Sequence, residues 1–312
     1  LPDDPGQVER LLGERIEKVV PEFKFGIKYW DLLNEPTVAW QHDTPVAIWE
    51  NKIGPVLAFE KALNWARAAD PEAVILVNDY NIDERGTLSY LIERPDQAMK
   101  LLKDQVPHYP VSYDRFVAEL KRRDSAPDAI GIQSHMHRGN WPIWDTYELL
   151  ERYSRLTLPI HFTETTVLSG EHRQIIFYED WTKNIPWITT PEGEQEQMEY
   201  LEKFYTLLFS YPKVSAITWW NFSDQGAWLN APAGLVRADL SPKPAYYRIQ
   251  YLIRKKWWTK LEKRTDQEGK IRFRGFCGDY QLSLSEPKEK LDFKIDCQKK
   301  DGQEIKIKLQ KK

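Results

Sequence analysis

Glu35 and Glu164 are the residues whose setting first suggests chemistry. Each lies just past a short apolar run, 27–33 and 159–162 respectively. Hydrolysis of a glycosidic bond needs two carboxyl groups facing each other across that bond. One must be protonated to donate to the leaving oxygen, and the other ionised to attack the anomeric carbon. Two strand-end carboxylates on one rim meet that need despite the long sequence between them, although strand-end glutamates also cap loops or pair with lysines. Asn34, Asn78 and Gln133 are neutral polar groups, suited to sugar hydroxyls and poorly suited to phosphates. His135, in Gln133-Ser134-His135-Met136-His137, has three readings. It sets the charge state of a catalytic carboxylate, ligates a metal together with His137 and His161, or is a satisfied core histidine. Trp220 and Trp228, beside Asn221 and Asp224, read as planes on which sugar rings stack, whereas Trp30 reads as core.

These residues need a scaffold that brings strand ends together. The chain alternates short apolar runs with longer amphipathic stretches, the pattern of parallel βαβ units. Strands are expected at 27–33, 73–77, 129–132, 159–162 and 214–220. Helices are expected near 5–20, 46–69, 87–105, 112–123, 144–156 and 193–210, with a last one after Pro242-Lys243-Pro244. The first helix carries Val8, Leu11, Leu12, Ile16 and Val19 on one face. Each strand is an almost continuous apolar run ending in polar residues, as in barrels whose sites sit at the C-terminal strand ends. No Gly-rich phosphate turn follows any strand, which disfavours a dinucleotide-binding sheet. Beyond residue 258 the pattern changes. The last 54 residues hold 15 Lys+Arg against 10 Asp+Glu, and runs at 271–274, 281–284, 291–295 and 305–309 read as four half-buried strands. The expected domains are therefore 1–258 and a small antiparallel β module, 259–312.

Composition removes several function classes. With 44 basic and 47 acidic side chains the chain has no field for phosphate backbones, so no nucleic-acid partner is expected. No apolar run reaches the length of a membrane span. Two cysteines, Cys277 and Cys297, are too few for a disulfide framework or a Cys-rich metal site, but they can pair with each other in an oxidising compartment. No signal-peptide pattern opens the sequence.

The motifs together resemble a known family. Trp30-Asp31-Leu32-Leu33-Asn34-Glu35 is similar to the acid/base motif of glycoside hydrolase family 10, the retaining endo-β-1,4-xylanases. Asn78-Asp79-Tyr80-Asn81 resembles its fifth-strand motif and Gly131-Ile132-Gln133-Ser134-His135 its sixth. Phe162-Thr163-Glu164 resembles the nucleophile strand, and the segment from Thr218 to Trp228 the eighth. The resemblance implies a TIM barrel of which strands four to eight are present. It implies Glu35 as acid/base and Glu164 as nucleophile, with Asn34, Tyr80, Gln133, His135, Trp220 and Trp228 grouped around the xylan or xylo-oligosaccharide: Asn34 on the sugar 2-hydroxyl, His135 in contact with Glu164, and the others lining the subsites. It further implies a glycosyl-enzyme intermediate, no metal or other cofactor, and a secreted, periplasmic or cell-surface enzyme.

The sequence also departs from the family pattern. Thr165-Thr166 follow the nucleophile where Leu-Asp is usual, Asn221 replaces a Gly, and Ala227 stands where Ser is common. The family's first three strands have no counterpart ahead of Glu35. The expectation is a C-terminal part of a longer enzyme, or a chain that pairs with an N-terminal segment. The alternative function is non-catalytic carbohydrate binding by an incomplete rim.

Overall fold

A computed structural model describes residues 4–82, 112–173, 187–285, 288–296 and 303–306. The chain divides into two compact units, Leu1–Lys243 and Pro244–Lys312.

In the first unit local chemistry starts the helices. The Asp4 side chain accepts from the Gln7 N–H at 2.9 Å and Pro5 takes the first helical position of α1 (Pro5–Phe23). Val8 and Val20 of α1 are fully buried, as is Gly13, whose missing side chain leaves room for the Trp65 ring; Leu11, Leu12, Ile16 and Val19 are half-buried. The helix expected over 46–69 is two helices, α2 (Pro45–Ile53), capped by Thr44, and α3 (Pro55–Ala69). Gly54, at φ 86°, breaks them, because its positive φ ends one helix and the following Pro starts the next. Then come α4 (Tyr113–Arg122), α5 (Ile143–Ser154) and α6 (Pro191–Ser210), the last capped by the Thr190 side chain. The helix expected near 87–105 falls outside the described residues.

Five strands, β1 (Tyr29–Asn34), β2 (Val74–Asp79), β3 (Ala129–His135), β4 (Ile160–Thr166) and β5 (Val214–Trp219), pair in parallel in sequence order. Four of the five run further than their apolar cores suggested, so that most of the polar strand ends are themselves in the ladder. Strand order and the interleaved helices are those of consecutive βα units of an α/β barrel. The middle strands are almost wholly buried, whereas β1 and β5 have alternating exposed positions. The uniform burial expected of all five fails at these two because, among the described residues, each has a strand neighbour on one side only. One register shift falls early, between Ile160 and His161, and three fall late in the pairings, between Asp31 and Asn34, between Ile132 and Gln133, and between Phe162 and Thr165. Irregularities of this kind re-aim side chains, and the three late ones sit where the polar residues emerge.

The second unit holds α7 (Pro244–Tyr251), a π turn at Leu252–Lys256 and the antiparallel pair β6 (Gly278–Leu284) and β7 (Glu289–Ile295). Tyr280 stacks on Phe293 at 5.3 Å across the pair, and Cys277 is disulfide-bonded. Cys297 lies outside the described residues. Among the described residues, two of the four strands expected here form. The segment 271–274 is not a strand, since its alternating residues find no ladder partner, and most of 305–309 lies outside the described residues.

Candidate active site

Strand register brings the candidates together. Asn34 pairs with Asn78 across β1 and β2, and Gln133 with Glu164 across β3 and β4. The Asn78 amide donates to Glu164 Oε1 at 2.6 Å and to Asn34 Oδ1 at 3.0 Å. The Gln133 amide donates to Glu35 Oε1 at 2.9 Å and reaches Asn34 Oδ1 at 3.5 Å. Asn34 thus accepts from the two amides that hold the two carboxylates, which ties Glu35 and Glu164 into one network. The Thr163 hydroxyl donates to Asn78 Oδ1 and fixes the orientation of that amide. Gly131 makes this possible. A Cβ there would lie 2.8 Å from Asn78 Oδ1 and 3.1 Å from the Val77 carbonyl oxygen.

Glu164 is held at its second oxygen by His135, whose Nε2 lies 3.0 Å from Oε2. His135 Nδ1 lies 3.0 Å from the Thr166 hydroxyl. Hydrogen on Nε2 lets the ring donate to Glu164 and accept from Thr166. Thr166, one of the departures from the family pattern, therefore orients this ring. His135 also meets two tryptophans, Trp228 at 4.8 Å and Trp220 edge-on at 5.8 Å. These two indoles are 39% and 46% exposed, and so present open faces beside Glu164. His137 packs behind them on Trp228 and Trp187, and burial pushes its imidazole down to about 3.

The loop carrying Trp228 is pinned from below. Asn221 Oδ1 accepts from the Trp228 N–H at 3.2 Å, which gives this second departure a local task. Asp224 Oδ1 accepts from the Gly234 N–H at 2.8 Å and from Lys243 at 2.7 Å. Lys243 is fully buried and donates also to the Ser169 hydroxyl at 2.8 Å. Arg237 makes two hydrogen bonds to buried Glu194, at 2.7 and 2.5 Å.

Glu35 sits at φ 60° and ψ 44°, a left-handed conformation that costs an L residue about 1–2 kcal/mol. The chain turns there into a 3-10 helix, Pro36–Gln41. Asp79 holds this corner. Its Oδ2 accepts from the Thr37 N–H at 3.0 Å and the Thr37 hydroxyl at 2.8 Å, and its Oδ1 from the Asn81 N–H at 2.8 Å. Burial pushes Asp79 up to about 6 against the pull of those bonds. Glu50 on α2, also buried, is pushed up to about 8, first by burial and then by the charges of Asp79 and Asp31. Burial alone would raise Glu35, but His42 and Gln133 outweigh it and hold the carboxyl below its usual value.

The candidates named from the sequence are thus largely gathered: Glu35, Glu164, Asn34, Gln133, His135, Trp220 and Trp228 share the network or its wall. Tyr80 lies at the rim, its hydroxyl donating to Gln41 Oε1 at 2.8 Å. His161 sits apart, against Tyr29 with ring centres 5.2 Å from each other, so His135, His137 and His161 do not converge. Among the described residues no group of three or more His, Cys, Asp or Glu is arranged to hold a metal ion. Also among them, no helix is long and apolar enough to cross a membrane. Sequence reasoning missed His42, Asp79 and Thr37, and saw in Asn78 only a polar group. The one signal for them was the dipeptide Asn78-Asp79 at a strand end.

Comparison with known proteins fits this geometry. The chain is 26% identical over 252 residues to endo-1,4-beta-xylanase B of Thermotoga neapolitana, covering 79% of this chain and 62% of that protein. Native xylanase 10B from Thermotoga maritima superposes with a TM-score of 0.57 at 28% identity, over 80% of this chain and 68% of that one. Xylanase 10B from Thermotoga petrophila RKU-1, solved in complex with xylobiose, gives 0.52 at 28% identity, over 78% and 65%. The chain thus spans roughly two thirds of these relatives. The profile of glycosyl hydrolase family 10, a TIM-barrel family, matches residues 3–251, and this chain belongs to that family.

Proposed function

We propose that this chain carries the catalytic pair of a retaining endo-β-1,4-xylanase, cleaving internal bonds of xylan through a glycosyl-enzyme intermediate. The observation that carries the reading is the shared network, in which Gln133 holds Glu35, Asn78 holds Glu164 and Asn34 accepts from both. Glu164, with one oxygen on Asn78 and the other on His135, is an oriented carboxylate ready to attack the anomeric carbon. Glu35 protonates the leaving oxygen and then activates the water that releases the sugar. Asn34 is read as the partner of the sugar 2-hydroxyl, and Tyr80, Gln133, Trp220 and Trp228 as the lining of neighbouring subsites. The barrel is proposed to comprise strands four to eight, in a domain 1–258 with a module 259–312. The family match ends at residue 251 and the compact units divide between Lys243 and Pro244, both short of that boundary. A location outside the cytoplasm agrees with the disulfide at Cys277.

The test is the anomer released first from a xylo-oligosaccharide, followed by proton NMR. Retention gives the β-anomer before mutarotation, and an α-anomer overturns the mechanism. A second reading is favoured by the part-exposed edge strands β1 and β5: the chain binds sugar but turns it over only with further N-terminal strands. Calorimetric binding of xylo-oligosaccharide without product decides for it.

The close approach at Gly131 gives a sharper expectation. Gly131→Ala pushes Asn78 off Glu164, and a displacement of about 1 Å costs on the order of 100-fold in kcat. The KM changes little, because the sugar-stacking tryptophans are untouched. A kcat within twofold of the parent would show that Asn78 does not orient Glu164.

A further inference from the structure

Beyond the two carboxylates, the 3-10 helix after Glu35 brings one more titratable group back to the site. His42 closes that helix with its N–H on the Ala39 carbonyl at 3.0 Å. Its imidazole Nε2 then lies 3.6 Å from Glu35 Oε2, while Gln133 occupies Oε1. The two oxygens of Glu35 are therefore unlike: one faces an amide that only donates, the other a ring that gains or loses a proton near neutrality. The segment bearing His42 is itself held, since the neighbouring Gln41 accepts from the Tyr80 hydroxyl. Other charged groups bear on the pair. Asp31 on β1 and Asp79 on β2 both feel the charge of Glu35, and Glu164 on β4 acts on Asp31. Asp43 acts on His42 beside Glu35. Of these groups Glu35 and Asp43 act on His42 itself, and both favour a cation there.

We propose that His42 and Glu35 form a one-proton pair, in which His42 is the positioning residue that stores the proton Glu35 delivers to the leaving oxygen. This rests on Glu35 being the acid/base. In the free protein the proton is on the imidazole and Glu35 is ionised. Contact with Glu35 raises His42 above its ordinary value against the effect of burial. Glu35 is lowered because His42 and Gln133 outweigh its burial. When a sugar displaces water, the separated charges lose solvation and the neutral form gains. The N–H bond of His42 then breaks and an O–H bond forms on Glu35 Oε2, directly or through one water. That O–H proton passes to the leaving oxygen as the glycosidic C–O bond breaks and Glu164 bonds to the anomeric carbon. In the second step water attacks that carbon and Glu164 departs as carboxylate. The water proton goes to Glu35 and back to His42, so the pair ends with the one proton it began with.

The experiment is an NMR titration of the full chain with carbon-labelled Glu carboxyl and His ring signals, which needs no turnover. In His42→Gln the Glu35 midpoint rises by roughly one pH unit or more, and in Glu35→Gln the His42 midpoint falls by a matching amount, because coupling is reciprocal. His42→Lys, with a permanent charge at the same place, keeps the Glu35 midpoint low. The His42 side chain is 47% exposed, so neither change empties a core. A Glu35 midpoint unmoved in His42→Gln, or a His42 midpoint unmoved in Glu35→Gln, overturns the pair. In activity assays the alkaline limb of the pH profile, which in the parent is loss of the pair's proton from His42, moves downward in His42→Gln to the midpoint of Glu35 alone, whereas a merely structural role lowers the whole profile without moving it. Failure of the acid/base reading is seen separately: coupled midpoints together with full hydrolysis of unactivated xylo-oligosaccharide by Glu35→Ala would leave the pair standing and remove its catalytic use.

Discussion

Glu164→Gln abolishes hydrolysis of xylo-oligosaccharides, with turnover falling by at least about 10⁴-fold, since removal of a covalent nucleophile has cost enzymes on the order of 10⁶. The amide has the carboxylate's shape: its oxygen still accepts from Asn78, and its NH2 donates to His135 Nε2 once the ring hydrogen moves to Nδ1, so the fold is kept. What is lost is the anionic attack on the anomeric carbon. Loss therefore appears in kcat, with KM for the sugar nearly unchanged, and it persists for activated aryl xylosides whose leaving groups need no proton. Circular dichroism and melting temperature stay those of the parent. Turnover within tenfold of the parent would remove Glu164 from the nucleophile's role.

Glu35→Ala behaves differently, and the difference identifies its role. Hydrolysis of unactivated xylo-oligosaccharides falls by about 10²–10⁴-fold, the usual worth of a positioned acid or base. On a dinitrophenyl xyloside the first step survives, because that leaving group departs unprotonated, and the covalent intermediate accumulates for want of a base to activate water. Azide, which needs no such base, enters the vacated space and releases a β-xylosyl azide. The measurement is a burst of dinitrophenol followed by acceleration on adding azide. Equal losses on both substrates and no azide product would place Glu35 outside the acid/base role.

How far the sequence revealed this site varies from residue to residue. Glu35, Glu164 and Gln133 were legible because each follows an apolar run, and a strand must deliver what ends it to the rim. The five strands were legible for the same reason. The break at Gly54-Pro55 was marked in the sequence but hidden by amphipathic residues continuing on both sides. The edge character of β1 and β5 was legible only through the family resemblance, in which an incomplete barrel exposes two sheet edges, since an apolar run by itself looks the same whether one neighbour is present or two. His42 escaped notice because its approach to Glu35 depends on a left-handed residue, and no periodicity announces a positive φ at a glutamate. Lys243 escaped for a related reason. A lysine after a proline reads as surface, and only the fold shows it buried on Asp224 and Ser169.

The strand end Asn78-Asp79 has a consequence for the whole rim. Successive residues of a strand point to opposite faces. Asn78 reaches Glu164 on one side, and Asp79 grips Thr37, two residues beyond Glu35, on the other. A single dipeptide thus braces both carboxylates, holding Glu164 directly and the turn after Glu35 through Thr37, without being either of them. In retaining glycosidases the gap between the two carboxyl groups is about 5–5.5 Å, whereas inverting enzymes open it to about 6.5–9.5 Å to admit a water. On the proposed roles of Glu35 and Glu164, shortening either side chain on β2 is expected to alter that gap while both glutamates remain in place.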